Sequence, residues 1–398
     1  MNTKHIAPAC IVWGGYSWGN SGDELTLAIA LHDARERFGD SVAILSRDPA
    51  YTRWLFPDVP VIPYRLRPPP FVIQQLRALY LRFQRSEWSS GVPGLFIPNA
   101  RLRDQRGAVR GVPPEWVTAI RQARQLYLVG GGYLTDLFDV AYHLLPIEVA
   151  NASGVAVATA PLGIGPFHSP WAAKAVAQAL RNATVAVRDT SSLHFCRDHG
   201  LHAELRQDDG FRAAQTLPEL ELDTPLPRPD SDLMRVGVCI FNQHGGKAAQ
   251  IDTWWRTFLG RLRQHEDVID LEGFPFHESR ARGFATMVEL FEDTNWGAAR
   301  VRPPSLDFRV LIQNLRRYDL IISTRFHAIV IAHVLGTPHL AVASGSYYAT
   351  KMDAAVNHDD PLSQLVNIAH ESPERVAAHV ATMGYAGRNS LANPVHTH

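Results

Sequence analysis

Two hydrophobic periods alternate along the chain. Residues 8–14 (PACIVWG) form an unbroken apolar run ending in glycine, the pattern of a buried strand. Residues 23–39 (DELTLAIALHDARERFG) change to helical spacing, with Leu25, Ile29 and Ala30 on one side and Asp33, Arg35 and Glu36 elsewhere. Asp23 suits the cap of that helix and Gly39 its stop. Apolar runs at 41–46 and 59–63 predict two further strands. The rhythm resumes with a helical PPEWVTAIRQARQ, a strand LYLV at 126–129 that ends in three glycines, and a helix over 139–152. A strand at 155–159, a helix at 170–181, a strand at 184–188 and a helix at 191–199 continue it. Strand, helix and strand in close succession imply a parallel sheet with right-handed crossovers.

Periodicity fails over 218–233, where four prolines and five acids fall without order, the composition of a linker. Beyond it the pattern restarts. Strands are predicted at 235–241, 267–274, 319–323 and 338–343, and helices at 250–264, 279–292, 306–317 and 325–336. The reading is two doubly wound α/β domains facing one another across a cleft. The first spans 1–217, the linker 218–233, the second 234–370, and a C-terminal helix and tail 371–398. A chain of 398 residues is long enough for two domains at ~100–200 residues each.

One segment breaks the rhythm. Residues 65–110 hold nine arginines against two acids, Glu87 and Asp104. Within it Val72, Ile73, Leu76, Leu79, Tyr80 and Phe83 recur at helical spacing, with Arg77, Arg82 and Arg85 largely off that stripe. This is an inserted basic amphipathic helix with a long loop. Two readings stay open: a surface helix that packs its stripe on the domain, or a peripheral landing site for an acidic acceptor or a membrane surface.

Charge and cysteine usage narrow the classes. Lys and Arg number 39 and Asp and Glu 39, so the formal net charge is zero, which argues against a nucleic-acid partner. No run approaches the ~18 apolar residues of a membrane span. The N-terminal MNTKHIAPACIVWGG reads as a first strand rather than a signal peptide. Cys10, Cys196 and Cys239 are odd in number and show no CxxC spacing, so neither a disulfide framework nor a zinc site is expected, and a reducing cytoplasm is the simplest compartment.

Four motifs sit at strand ends, where open α/β sheets bind ligands. The first is the glycine-rich GGYSWGNSGDE of 14–24, in which Gly19 and Gly22 permit tight turns and Asn20 and Asp23 offer groups suited to sugar hydroxyls. It matches neither the GxGxxG fingerprint nor a P-loop. The second is Gly130-Gly131-Gly132, costly to order unless backbone must approach a ligand or a packed neighbour closely. The third is Arg188-Asp189, an arginine that either grips a carboxylate or phosphate or forms a local ion pair. The fourth and strongest is Ser323-Thr324-Arg325-Phe326-His327-Ala328. Here a hydroxyl is expected to cap the helix and Arg325 and His327 to stand in its first turn. A cation there opposes the helix dipole, and an anionic ligand would resolve the conflict. Histidine exchanges a proton near neutral pH. Weaker candidates are Lys351 with Asp353, His277 after a strand, and His244-Gly245-Gly246-Lys247. No histidine spacing points to a metal.

In order and spacing these motifs resemble the polysaccharide pyruvyl transferase family: Gly19, Asn20, Gly22, Asp23 and Glu24, the glycine triplet, Val187-Arg188-Asp189, and Ser323 to Ala328 followed by Gly336-Thr337-Pro338 and Lys351. The resemblance covers most of the chain except 65–110. It implies two facing Rossmann-like halves in a GT-B-like arrangement. It also implies transfer of pyruvate from phosphoenolpyruvate to two hydroxyls of a sugar, forming a cyclic ketal. Phosphoenolpyruvate is then a co-substrate held largely by the second domain, and no separate cofactor or metal is needed. The family's Arg-Phe-His motif falls on Arg325, Phe326 and His327. Its first-domain arginine falls on Arg188, and Lys351 joins the donor-binding set. Gly19, Asn20, Asp23, Gly130 to Gly132 and His277 are left to the acceptor side or to loop structure.

The chemistry fits these residues. Arginines can hold the donor's carboxylate and phosphate, and His327 can serve as general acid and base. The expected partners are phosphoenolpyruvate and a sugar or glycan acceptor of cell-surface polysaccharide or a related glycoside. The carrier of that acceptor stays open between a lipid, a nucleotide and a natural product. Two alternatives stand beside this reading: a GT-B-type glycosyltransferase using a nucleotide sugar, and a non-catalytic carbohydrate-binding protein of the same fold.

Overall fold

The computed structural model describes residues 7–17, 19–65, 115–137, 140–222, 232–241, 248–277 and 283–392. The basic segment expected at 65–110 lies outside the described residues except for Arg65, as do 223–231 of the expected linker and His244–Lys247.

The chain divides into two compact units. The N-terminal unit comprises Met1–Trp18 and Thr26–Asp209, and the C-terminal unit Gly19–Leu25 and Gly210–His398. The expected boundary at 218–233 differs from this division in two ways. The chain changes unit at Asp209–Gly210, because Phe211 already packs on the apolar cluster of Phe326, Ile329 and Val330. The short stretch Gly19–Leu25, which opens the helix Ser21–Phe38, clusters with residues far away in sequence.

In the N-terminal unit the strands are β1 (Cys10–Trp13), β2 (Val42–Ser46), β3 (Val61–Pro63), β4 (Gln125–Leu128), β5 (Gly131–Leu134), β6 (Ala156–Thr159), β7 (Leu162–Ile164), β8 (Val185–Val187) and β9 (Ala203–Leu205). They form two sheets in the orders β3-β2-β1-β4-β6 and β5-β7-β8-β9, every pairing parallel. β5 and β7 follow β4 and β6 after two intervening residues each. Helix Val140–Ala152 carries Pro146 in its interior. Proline has no N–H to give the carbonyl four residues back. That carbonyl belongs to Tyr142, and the Tyr64 hydroxyl donates to it at 2.9 Å. The Tyr64 bond thus satisfies the acceptor that Pro146 cannot serve, and the indole of Trp13 donates to the next carbonyl, His143, at 3.1 Å, within the aromatic part of the core.

In the C-terminal unit β10 (Met234–Cys239), β11 (Ile269–Gly273), β12 (Leu320–Ser323), β13 (His339–Ala343) and β14 (Gln364–Asn367) form one parallel sheet in the order β11-β10-β12-β13-β14. Val236, Trp255, Phe258, Leu271, Phe291 and Leu320 belong to its core. The order reverses between β10 and β12, and ligands of doubly wound sheets bind beyond the carboxyl ends of strands at such a switch point. In the N-terminal unit the corresponding point lies between β1 and β4.

Strands β5, β7, β9 and β14 are additions to the sequence expectation. Each is three or four residues long, and β5 begins within the glycine triplet, so none carries enough alternation to announce itself. Among the described residues no helix is long and apolar enough to cross a membrane.

Candidate active site

β12 ends at Ser323 beside the switch point of the C-terminal sheet. The exit of this strand is pinned by its own hydroxyls. Ser323 Oγ accepts from the Arg325 N–H at 2.8 Å, and Thr324 Oγ1 accepts from the Phe241 N–H at 2.7 Å. The second bond ties the ends of β12 and β10 together. Neither hydroxyl caps the helix that follows. Helix Phe326–Val334 starts one residue later than expected, with Arg325 in extended geometry at the capping position and no side-chain cap. Arg325 therefore precedes the first turn, and His327 lies within it.

The helix is apolar and buried on all sides from Phe326 to Ala332, which fixes it rigidly behind the sheet. Arg325 is half-buried, and its guanidinium lies 3.7 Å from the centroid of the Phe241 ring. Stacking of this kind holds the planar group in one orientation. The Phe326 ring stands edge-on to the buried imidazole of His327 at 5.3 Å, and Lys351 Nζ lies 5.5 Å from the Phe326 ring. Burial pushes the nearby Cys239 thiol up to about 11, partly offset by the positive charge of Arg325. Cys239 is thus a neutral wall of the site.

The glycine-rich loop reaches the same place. A methyl group built on Gly22 would lie 2.2 Å from His327 Nδ1, so the imidazole rests directly on that backbone. Only glycine fits there. Around it the loop is strapped to the exit of β11. The Ser21 N–H donates to the Phe276 carbonyl at 3.1 Å, and Asn20 forms a backbone bridge with His277. Asn20 Nδ2 donates to Asp23 Oδ2 at 2.7 Å, its Oδ1 accepts from the Gly22 N–H at 3.3 Å, and its carbonyl accepts from the Glu24 N–H at 3.0 Å. Asn20 therefore opens the helix, in the role expected of Asp23. Gly19 supplies a positive φ of 66° immediately before it.

The C-terminal unit thus gathers Gly19, Asn20, Gly22, Asp23, His277, Arg325, Phe326, His327 and Lys351 at the carboxyl ends of β10 to β13 and the loop seated on them. Arg188 and the glycine triplet belong to the other unit. Arg188 follows β8, and its Nη1 donates to Asp208 Oδ2 at 2.7 Å with both side chains almost fully enclosed, at 4% and 2% exposure. Its guanidinium lies along Gly163. Gly130 joins β4 to β5, and a methyl group on it would meet the Pro161 carbonyl oxygen at 3.2 Å. Gly131, at φ 136°, and Gly132 open β5. The close approach at Gly130 is to neighbouring backbone.

Two further groups near Arg325 carry no signal in the sequence. Phe241, the platform under Arg325, is hidden as the last residue of an apolar strand. Tyr348 lies in SGSYYATK among residues of no distinctive spacing. Burial raises its phenol and the Arg325 charge partly counters that rise, which places Tyr348 within the field of the arginine.

A family model described as polysaccharide pyruvyl transferase matches residues 20–346. No curated protein matches the sequence. Among solved structures, the chain is similar to a putative UDP-N-acetylglucosamine 2-epimerase from Listeria monocytogenes, at TM-score 0.54 and 10% identity over 97% of this chain and 91% of that one. It is also similar to the UDP-GlcNAc 2-epimerase from Neisseria meningitidis bound to UDP-GlcNAc, at TM-score 0.51 and 10% identity over 96% and 93%. Anabaena HepE, in complex with UDP and glucose, gives TM-score 0.50 and 13% identity over 96% and 94%. At these identities the likeness establishes the fold, which is of the GT-B type.

Proposed function

The chain belongs to the polysaccharide pyruvyl transferase family, and from that premise we propose that it transfers pyruvate from phosphoenolpyruvate to two hydroxyls of a sugar, forming a cyclic ketal. The observation that carries this reading is the contact of Gly22 with His327. It joins the GNxGD loop and the R-F-H segment, some three hundred residues apart in the chain, into one site that holds a cation and a proton carrier.

The reaction asks for three things. The donor's carboxylate and phosphate must be held, and Arg325 with Lys351 provides positive charge for both. A proton must reach the methylene carbon of the enol as a sugar hydroxyl attacks the adjacent carbon and gives up its own proton. A second hydroxyl must then attack that carbon as phosphate departs with the enol oxygen, yielding ketal and inorganic phosphate. His327 is the group for the proton transfers, and Arg325 stabilises the charge that grows on the leaving phosphate. Asn20 and Asp23 flank Gly22 in the loop that meets His327, and His277 bridges to Asn20, so these residues offer polar groups for the acceptor hydroxyls. The acceptor class is a sugar or glycan of surface polysaccharide or a related glycoside.

The test is incubation with phosphoenolpyruvate and a panel of sugar acceptors, reading phosphate release and the mass of the acceptor. Stoichiometric phosphate with a mass gain of one pyruvate less water is the expected result. Arg325→Ala should lose donor binding, whereas His327→Ala should keep much of it and lose turnover about 100-fold or more. Full turnover in a folded His327→Ala protein would remove the assignment. Binding of a nucleotide sugar with no response to phosphoenolpyruvate would replace the whole reading with that of a glycosyltransferase.

A further inference from the structure

Phosphoenolpyruvate carries two anionic groups at once, and one stacked arginine cannot satisfy both. The arginine expected to help from the N-terminal unit has its Nη1 committed to Asp208 in a buried pair. Further groups able to hold an anion stand on the elements beside Arg325. β13 lies next to β12 in the sheet. Its exit turns at Gly345, φ 80°, into the helix Ser346–Asp353. Residues three apart on a helix share a face, and Tyr348 and Lys351 are such a pair. Both approach the segment that follows β12. Tyr348 packs on the cluster of Phe326, Ile329 and Val330, and Lys351 Nζ lies over the Phe326 ring. Phe326 in turn separates Arg325 from His327 in sequence and stands edge-on to the imidazole.

We infer that Tyr348 is a third donor-holding residue, its phenolic O–H donating a hydrogen bond to an anionic oxygen of phosphoenolpyruvate alongside Arg325 and Lys351. This rests on the pyruvyl transfer reading of the same site. A half-buried phenol is well suited to the task. Its apolar ring completes the wall made by Phe326, and its hydroxyl stays protonated and so remains a donor at neutral pH. Its hydrogen bond to a charged acceptor is of the stronger kind.

The experiment compares wild type with Tyr348→Phe, which keeps the ring and removes only the hydroxyl. Phosphoenolpyruvate is titrated into each by calorimetry, and steady-state constants are measured for donor and acceptor separately. The expected result is an affinity for phosphoenolpyruvate about 10-fold weaker or more, a matching rise in its KM, an unchanged KM for the acceptor, and an unchanged thermal midpoint without ligand. A purely structural role would move the midpoint and spare the selectivity for donor. Wild-type binding with an equal affinity in Tyr348→Phe overturns this inference and leaves the pyruvyl transfer reading intact. Wild-type protein that fails to bind phosphoenolpyruvate, with or without acceptor, overturns that reading and this inference with it.

Discussion

At Gly22 the missing side chain is a geometric requirement. The smallest possible addition, a methyl group, would overlap the His327 ring, so either the loop or the imidazole must move. Displacements of about 1 Å at a reacting group cost on the order of 100-fold in rate. Gly22→Ala is therefore expected to lose pyruvyl transfer by about that factor while the protein stays folded, as steady-state kinetics with circular dichroism would show. Activity within a few-fold of wild type would mean that His327 need not rest on this backbone. Arg188 makes the opposite kind of prediction. Its partner Asp208 is as enclosed as the arginine itself, and removing one member of such a pair takes a charge partner from a buried carboxylate, a loss of up to about 3–5 kcal/mol. Arg188→Ala should appear as a fall in unfolding free energy under urea. A stable protein with a raised KM for phosphoenolpyruvate would instead return Arg188 to the donor-binding role that its place in the sequence implies.

At the scale of elements, β13 opens with a histidine that has no solvent exposure. His339 Nδ1 faces the Thr337 carbonyl at 2.9 Å, and its Nε2 accepts from the Asn357 N–H at 3.1 Å, which together require the neutral ring. Ser363 links the same imidazole to Asp360, and His333 stacks on it. Burial lowers its proton affinity, with His333 and His358 adding to that effect while the Thr337 carbonyl and Asp360 oppose it. The unfolded chain thus binds a proton near pH ~6.5 that the folded chain refuses, so stability is complete above that value and falls as pH drops below it. The buried His143 acts in the same direction. The thermal midpoint should decline from about pH 7.5 to about pH 5.5, and less steeply in His339→Gln. An identical slope in the variant would exclude His339 as a contributor. Why some elements were legible in sequence and others were not follows from the same physics. Long apolar runs such as RVGVCIF and DLIIS, and the helical stripes between them, identify ten of the fourteen strands among the described residues and their order of appearance. β5, hidden behind glycines, and β14, with a single apolar pair at its centre, form because a neighbouring strand offers hydrogen bonds, a cause that lies outside their own residues.

For the whole molecule, the two units have separate sheets and separate cores. The proposed donor site belongs to one of them. Saturating phosphoenolpyruvate should slow backbone hydrogen exchange in Gly19–Leu25, around Phe241 and across Arg325–Ala328 and Gly345–Lys351. It should also stabilise that unit by about 2.7 kcal/mol at a hundred times its dissociation constant. Protection confined to residues 26–209 would place the donor elsewhere. The sequence alone determined the class of fold, two doubly wound α/β units, because strand and helix periods are written in nearest neighbours along the chain. It also singled out Arg325, His327 and the GNxGD loop, since glycines and cations at strand ends stand out against an apolar pattern. Which of these meet was decided by tertiary structure. The loop lies near the start of the chain and the R-F-H segment near its end, and only the packing of Ser21 on Phe276 and of Gly22 on His327 brings them together. The same packing level pairs Arg188 with Asp208, a partner twenty residues away that no local pattern distinguishes from its neighbours, because charge pairing in an enclosed site depends on distance in space and burial, neither of which has a period.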